Sequence, residues 1–178
     1  MMETLASKLT HLFISLSNKD YSEDEVEIFD YGFQCFINSF STDLILIFWG
    51  IITSSLFETL CWLTIFCIYR HHAGGAHAST SLRCIIASSL LGMSNIIPLY
   101  CVHYTDFFFR VCFCISFVVT LIYAPSKSSK KNLSRGQAIY QKLVSVTFVW
   151  ICFSLSVLLP TEISISLCYG IFVAALLL

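Results

Sequence analysis

Six apolar runs dominate the chain, near Tyr31–Ile52, Ser54–Tyr69, Leu82–Ile97, Phe107–Tyr123, Leu143–Leu159 and Ile163–Leu178. They constrain the fold more than any other feature, because a hydrocarbon layer accepts a backbone only when its polar groups are satisfied within the segment. The prediction is an all-α polytopic membrane protein of about six hydrophobic helices. Composition agrees: 57% of residues are hydrophobic and 12% charged, against about 45–50% and ~25% in soluble domains. Several runs have only 16–18 residues, at the short end of the ~17–25 that span a bilayer. The second run follows the first almost directly, which predicts a tight helical hairpin at Thr53-Ser54-Ser55.

A different pattern precedes the runs. Met2, Leu5, Leu9, Leu12, Phe13 and Leu16 recur at three- and four-residue spacing, with Glu3, Ser7, Lys8, His11 and Ser15 opposite. This predicts an amphipathic helix lying in the membrane interface; the alternative is a helix packed on the protein itself. Ser22 followed by Glu25 predicts a capping box, with Glu23, Asp24, Glu25 and Glu27 near the positive end of the helix dipole. We therefore expect one membrane domain over residues 1–178, with an interfacial helix at 1–20 and a bundle at 21–178 that includes a polar loop at 70–84. No secretory signal peptide is evident.

Lys and Arg set the expected orientation. With a cytoplasmic N-terminus, Lys8, Lys19, Arg70, Arg83, Lys127, Lys130, Lys131, Arg135 and Lys142 all lie inside, leaving Arg110 as the exception among ten cations. Multi-pass insertion in the cell membrane, with the 70–84 loop facing the cytoplasm, is the expected localisation. Ser126 to Lys131 is the one low-complexity stretch, read as an anchor on anionic lipid or a docking strip for an acidic peptide. Arg110, Glu58 and Asp43 fall inside apolar runs, and we expect Arg110 to be neutralised by Glu58 or Asp43. Short spans and buried charges point to a homodimer. No nucleic-acid partner is expected.

The nine cysteines are odd in number and scattered through apolar runs, which is not a disulfide framework. Eight read as small apolar residues. Cys84 differs, because it follows Ala78-Ser79-Thr80-Ser81. Ser79 or Thr80 can cap a helix there. A thiol in that helix's first turn, beside Arg83, is favoured as thiolate. Free N–H groups of the same turn suit a developing oxyanion. His77 stands seven residues upstream, about 10.5 Å along a straight helix, too far for a nucleophile–base pair. The segment must therefore break, and Gly74-Gly75 supplies the break. The alternatives are an interfacial loop with polar histidines, or a metal site using His71, His72 and His77. The paired spacing of a structural zinc site is missing, so no metal or other cofactor is expected.

The run Arg70-His71-His72-Ala73-Gly74-Gly75-Ala76-His77-Ala78, followed by Arg83-Cys84, resembles the signature of the accessory gene regulator B family of Gram-positive quorum sensing. Glu58 stands 19 residues before His77, where family members carry Glu. Tyr123-Ala124-Pro125 with Lys131 and Leu133 resembles the family's basic loop, and Tyr31-Gly32-Phe33 resembles the start of its first segment. Gln34 departs from the Glu of many members, and Asn132 from the usual Pro.

The resemblance implies a membrane-embedded cysteine endopeptidase acting on an AgrD-like propeptide with an amphipathic leader and an acidic tail. Cys84 would attack the bond before the tail, with His77 taking its proton. A Cys or Ser of the bound peptide would then attack the thioester, giving a cyclic thiolactone or lactone. Gln34 or Glu58 would orient His77 or serve structurally, and Arg70, Arg83, Lys130 and Lys131 would receive the acidic tail. The rival reading is a non-enzymatic membrane exporter or binding protein for the signal peptide.

Overall fold

The computed structural model describes residues 2–17, 19–75, 80–101, 105–126 and 134–178. Among them the chain forms eight helices: α1 Met2–Ser17, α2 Glu23–Ile52, α3 Leu56–Ala73, α4 Ser81–Met93, α5 Ile96–Cys101, α6 Thr105–Tyr123, α7 Arg135–Leu158 and α8 Thr161–Leu176. By length and composition, Glu23–Ile52, Ser81–Cys101 and Arg135–Leu158 suffice to cross a membrane, and Phe107–Tyr123 and Thr161–Leu176 are shorter apolar helices. This is the all-α membrane architecture expected from the runs.

Contacts gather the chain into two compact units, Met1–Ile45 with Ala78–Ser89, and Leu46–His77 with Leu90–Leu178. In the first, α2 opens with the predicted capping box. The Ser22 N–H donates to Glu25 Oε2 at 2.9 Å, and the Glu25 N–H reaches Ser22 Oγ at 3.4 Å. In α1, Ala6 and Thr10 are buried, at 0% and 1% exposure, whereas Leu5, Leu12 and Leu16 are exposed. The helix thus packs within its unit through small residues and leaves Leu5, Leu12 and Leu16 exposed. Phe13 fixes it further, with rings of Tyr21, Phe29 and Phe33 at 5.2–6.5 Å.

The second unit is built around α8, which packs against α3, α5, α6 and α7. Ser164, Ser166, Gly170, Ala174 and Ala175 are all buried there; small side chains of this kind let helix backbones approach closely. A Cβ on Gly170 would stand 3.2 Å from the Trp62 carbonyl oxygen. Gly170→Leu is therefore expected to push α3 and α8 apart and destabilise the protein by roughly 1–3 kcal/mol, read as a lower melting temperature in detergent. An unchanged melting temperature would show that this approach does not hold the unit together. Phe113 packs on α7 through Phe153 at 4.2 Å and Trp150 at 4.8 Å. Tyr69, 1% exposed, shares a 2.6 Å hydrogen bond with Thr120 Oγ1.

The hairpin falls where predicted. Ser54 takes φ +54°, the Ser55 N–H donates to the Gly50 carbonyl at 2.9 Å, and Thr53 Oγ1 lies 2.7 Å from Ser55 Oγ. Three expectations need correction. The third run is two helices, because Pro98 has no N–H for the Ser94 carbonyl, which instead accepts from Ile97 at 3.0 Å. Ser94 Oγ meets Tyr169 Oη at 2.8 Å and Asn95 Nδ2 donates to Ser166 Oγ at 3.1 Å, so α8 holds the bend. α7 starts at Arg135 rather than Leu143, because Ser134 and Gln137 form a capping box that apolar periodicity does not register. Arg110 is exposed and makes no ion pair with Glu58, which lies in the same unit. It stands five residues into α6, about 7.5 Å from the helix start, within reach of the interface for a long side chain.

Candidate functional site

The polar segment at 70–84 is not a continuous helix. α3 ends at Ala73; Gly74 follows with φ +79° and Gly75 with φ +145°, and helix resumes at Ser81. The predicted glycine break is present before His77. His77 itself lies outside the described residues, as do Lys127, Lys130 and Lys131.

On the α3 side, the Gly74 N–H donates to the Arg70 carbonyl at 3.0 Å, and the Ser126 N–H donates to the Ala73 carbonyl at 2.9 Å. The segment leading toward His77 is thus sewn to the start of the basic loop. The Arg70 guanidinium lies over the Phe66 ring, 5.5 Å from its centroid. It also borders Gly75, where a Cβ would meet Arg70 Cζ at 2.8 Å and the Leu177 carbonyl oxygen at 3.1 Å. Arg70 is therefore half-buried in contacts of its own chain, which sequence spacing did not reveal. His71 and His72 stand edge-on, ring centroids 5.0 Å apart. Glu58 lies in the first turn of α3, twelve residues and about 18 Å along the axis from Arg70; its carboxylate is within electrostatic reach of the Cys61 thiol. Among the described residues, no group of three His, Cys, Asp or Glu side chains is placed to hold a metal ion.

On the α4 side, Thr80 is the cap. Its Oγ1 accepts from the Arg83 N–H at 3.4 Å, and its carbonyl accepts from the Cys84 N–H at 3.0 Å. Cys84 is thus a half-buried free thiol in the first turn of α4, as expected. Its own N–H is committed to the helix, so the donors without an intrahelical acceptor are those of Ser81 and Leu82. Arg83 is exposed.

The same unit brings groups from α2 to this cysteine. The Tyr31 hydroxyl is hydrogen-bonded to the Cys35 thiol and lies within electrostatic reach of Cys84. Cys35, read from sequence as apolar filler, is part of this cluster. One turn along, Gln34 Nε2 donates to Asp30 Oδ2 at 2.7 Å. No sequence signal short of the tertiary fold brings Tyr31 within electrostatic reach of Cys84.

Apolar helices, one of which carries a free thiol at its capped start, define a helical membrane protein with a candidate cysteine site. The chain belongs to the accessory gene regulator B family, whose sequence model matches residues 4–178. Membership places it in the signal processing of accessory gene regulator quorum sensing, with a propeptide substrate and a membrane setting. No curated protein and no solved structure matches the chain.

Proposed function

We propose that this protein is a membrane-embedded cysteine endopeptidase that removes the C-terminal tail of an AgrD-like propeptide and cyclises the remainder. The observation that carries the reading is the position of Cys84, half-buried in the Thr80-capped first turn of α4. A sulfur there feels the positive helix end, and the Ser81 and Leu82 N–H groups are available to an oxyanion.

In the proposed reaction the Cys84 sulfur attacks the carbonyl before the tail and His77 takes the thiol proton. The C–N bond then breaks, and the tail leaves as an amine protonated by His77. The thioester on Cys84 is next attacked by a Cys or Ser side chain of the bound peptide. That step closes a thiolactone or lactone and returns the thiol. Tethering makes the second attack intramolecular, worth effective molarities of about 10⁵ M or more, so ring closure outruns hydrolysis. Lys130, Lys131, Arg83 and Arg70 are proposed to receive the acidic tail on the cytoplasmic face, in a protein acting as a homodimer. Arg70 does so only by exchanging contacts with Phe66 and Gly75. Gln34, tied to Asp30, and Glu58 are proposed as structural supports rather than direct partners of His77.

The test is a propeptide whose internal nucleophile is replaced by alanine. It is expected to accumulate on the protein as a hydroxylamine-sensitive adduct whose mass maps to Cys84. Release of the tail without any adduct on Cys84 would refute the covalent route. Transport of intact peptide without tail loss would favour the exporter.

A further inference from the structure

In a helix that ran on past Ala73, the Ala73 carbonyl would accept the N–H of the residue four positions ahead, which is His77. In the folded chain another residue takes that acceptor. The Ser126 N–H donates to it at 2.9 Å, and Ala73 is buried at 0% exposure, so no solvent donor replaces it. The same serine shapes the next step of the backbone. A Cβ at Gly74 would stand 2.6 Å from Ser126 Oγ, with the Ser126 carbonyl oxygen at 3.4 Å. Ser126 thus fills the space of a side chain at 74. Gly74 turns out of the helix there at φ +79° and ψ −151°, a region that only glycine populates.

Ser126 reaches this point along a fixed path. It lies three residues past Tyr123, the end of α6. About one turn before Ala73 and Ala124, α3 and α6 are already tied, because Tyr69 Oη and Thr120 Oγ1 share a buried hydrogen bond of 2.6 Å. The Ala124 N–H then donates to the Thr120 carbonyl at 3.0 Å, and Ala124 is buried. Donor and acceptor belong to the same compact unit. The contact is therefore held by two packed helices.

We propose that Ser126 is a positioning residue for the proposed base: its N–H, seated on the Ala73 carbonyl, ends α3 and sets the direction in which the chain leaves toward His77. This rests on His77 and Cys84 being the catalytic pair. Glycines at 74 and 75 permit many exits from the helix, and the bond to Ser126 selects one. A base must come within roughly 2.6–3.2 Å of its nucleophile, so the reaction is sensitive to that selection.

The test uses the full-length protein in nanodiscs and a synthetic AgrD-type propeptide, with tail release followed by mass. Ser126→Pro removes the N–H. It is expected to lower kcat about a hundredfold with KM within about threefold, the signature of an interaction felt in the transition state. Ser126→Ala keeps the N–H and, as the conservative variant, should restore kcat to within about threefold of wild type. The second readout is the pH profile of Cys84 alkylation by iodoacetamide, measured on the peptide that contains Cys84. A nearby imidazolium favours thiolate, so loss of the base moves the midpoint up. Ser126→Pro should move it in the same direction as His77→Ala. A bond that only stabilised the fold would lower the melting temperature and leave the midpoint in place. If Ser126→Pro is unfolded, a protein with the α-hydroxy analogue of serine at 126, which exchanges only the N–H for oxygen, carries the test.

A folded protein without this N–H that keeps wild-type kcat, or loses kcat with the midpoint unmoved, overturns the positioning role. So does a Ser126→Ala protein as impaired as Ser126→Pro, which would assign the effect to the hydroxyl. The catalytic reading fails separately. Wild-type protein that releases no tail, or Cys84→Ala protein that releases it at the wild-type rate, removes the catalytic pair and the positioning role with it. Loss of tail release in Cys84→Ala beside full activity in Ser126→Pro removes the positioning role alone.

Discussion

Replacing Cys84 with alanine is expected to lower the rate of tail release by roughly 10⁴–10⁶-fold, the scale seen when the nucleophile of a covalent hydrolase is removed. The fold should be unaffected, because the side chain is half-buried and the turn that carries it is held by Thr80 rather than by the sulfur. His77→Ala should fall in the same range, and the double variant should lose little more than either single one, since the two act as a unit. The measurement is tail release by mass, with a melting curve beside it. A Cys84→Ala protein that still cleaves within tenfold of wild type would end the cysteine mechanism.

The second large effect is at Gly75. Gly75→Ala is expected to reduce tail release about a hundredfold, since displacements near 1 Å cost that much in a positioned reaction. At φ +145° an L side chain is strained. Its Cβ would also meet Arg70 Cζ at 2.8 Å and the Leu177 carbonyl oxygen at 3.1 Å. Arg70 is stacked on Phe66 and has limited room to retreat, while the Leu177 carbonyl is backbone. The turn must therefore move, and His77 follows it by two residues. Backbone strain of this kind costs about 1–3 kcal/mol, so the melting temperature should drop as well. Gly136→Ala is the control: nothing lies within 4 Å of its Cβ position, and α7 should tolerate or gain from it. Full activity in Gly75→Ala would show that this turn does not set the geometry of the site.

Much of the site's frame was legible without coordinates. Gly74-Gly75 before the histidine, Thr80 before the cysteine, and Ser22 with Glu25 before the first span are signals that act within four residues. The structure contains each of them. The Arg110–Glu58 pairing was not legible, because depth counted along two helices says nothing about which faces meet or how near a helix end a long side chain can escape. Arg70 shows the same limit. Its charge beside the loop suggested a substrate contact, whereas it lies over Phe66 and borders Gly75, which the Leu177 carbonyl also approaches. Leu177 is more than a hundred residues away in sequence.

The sequence by itself determined that this chain is made of apolar helices, that α2 opens on a capping box and α3 breaks at Gly74-Gly75, and that Cys84 lies at a helix start. These follow from hydropathy and from hydrogen bonds that close within one turn. Only the tertiary structure decided which group of α2 lies within electrostatic reach of the thiol: Tyr31, which interacts in turn with Cys35. Helix–helix packing in a membrane depends on where small side chains let backbones approach and where buried polar groups find partners. No single segment carries that information, because each contact needs two elements distant in sequence to present matching faces.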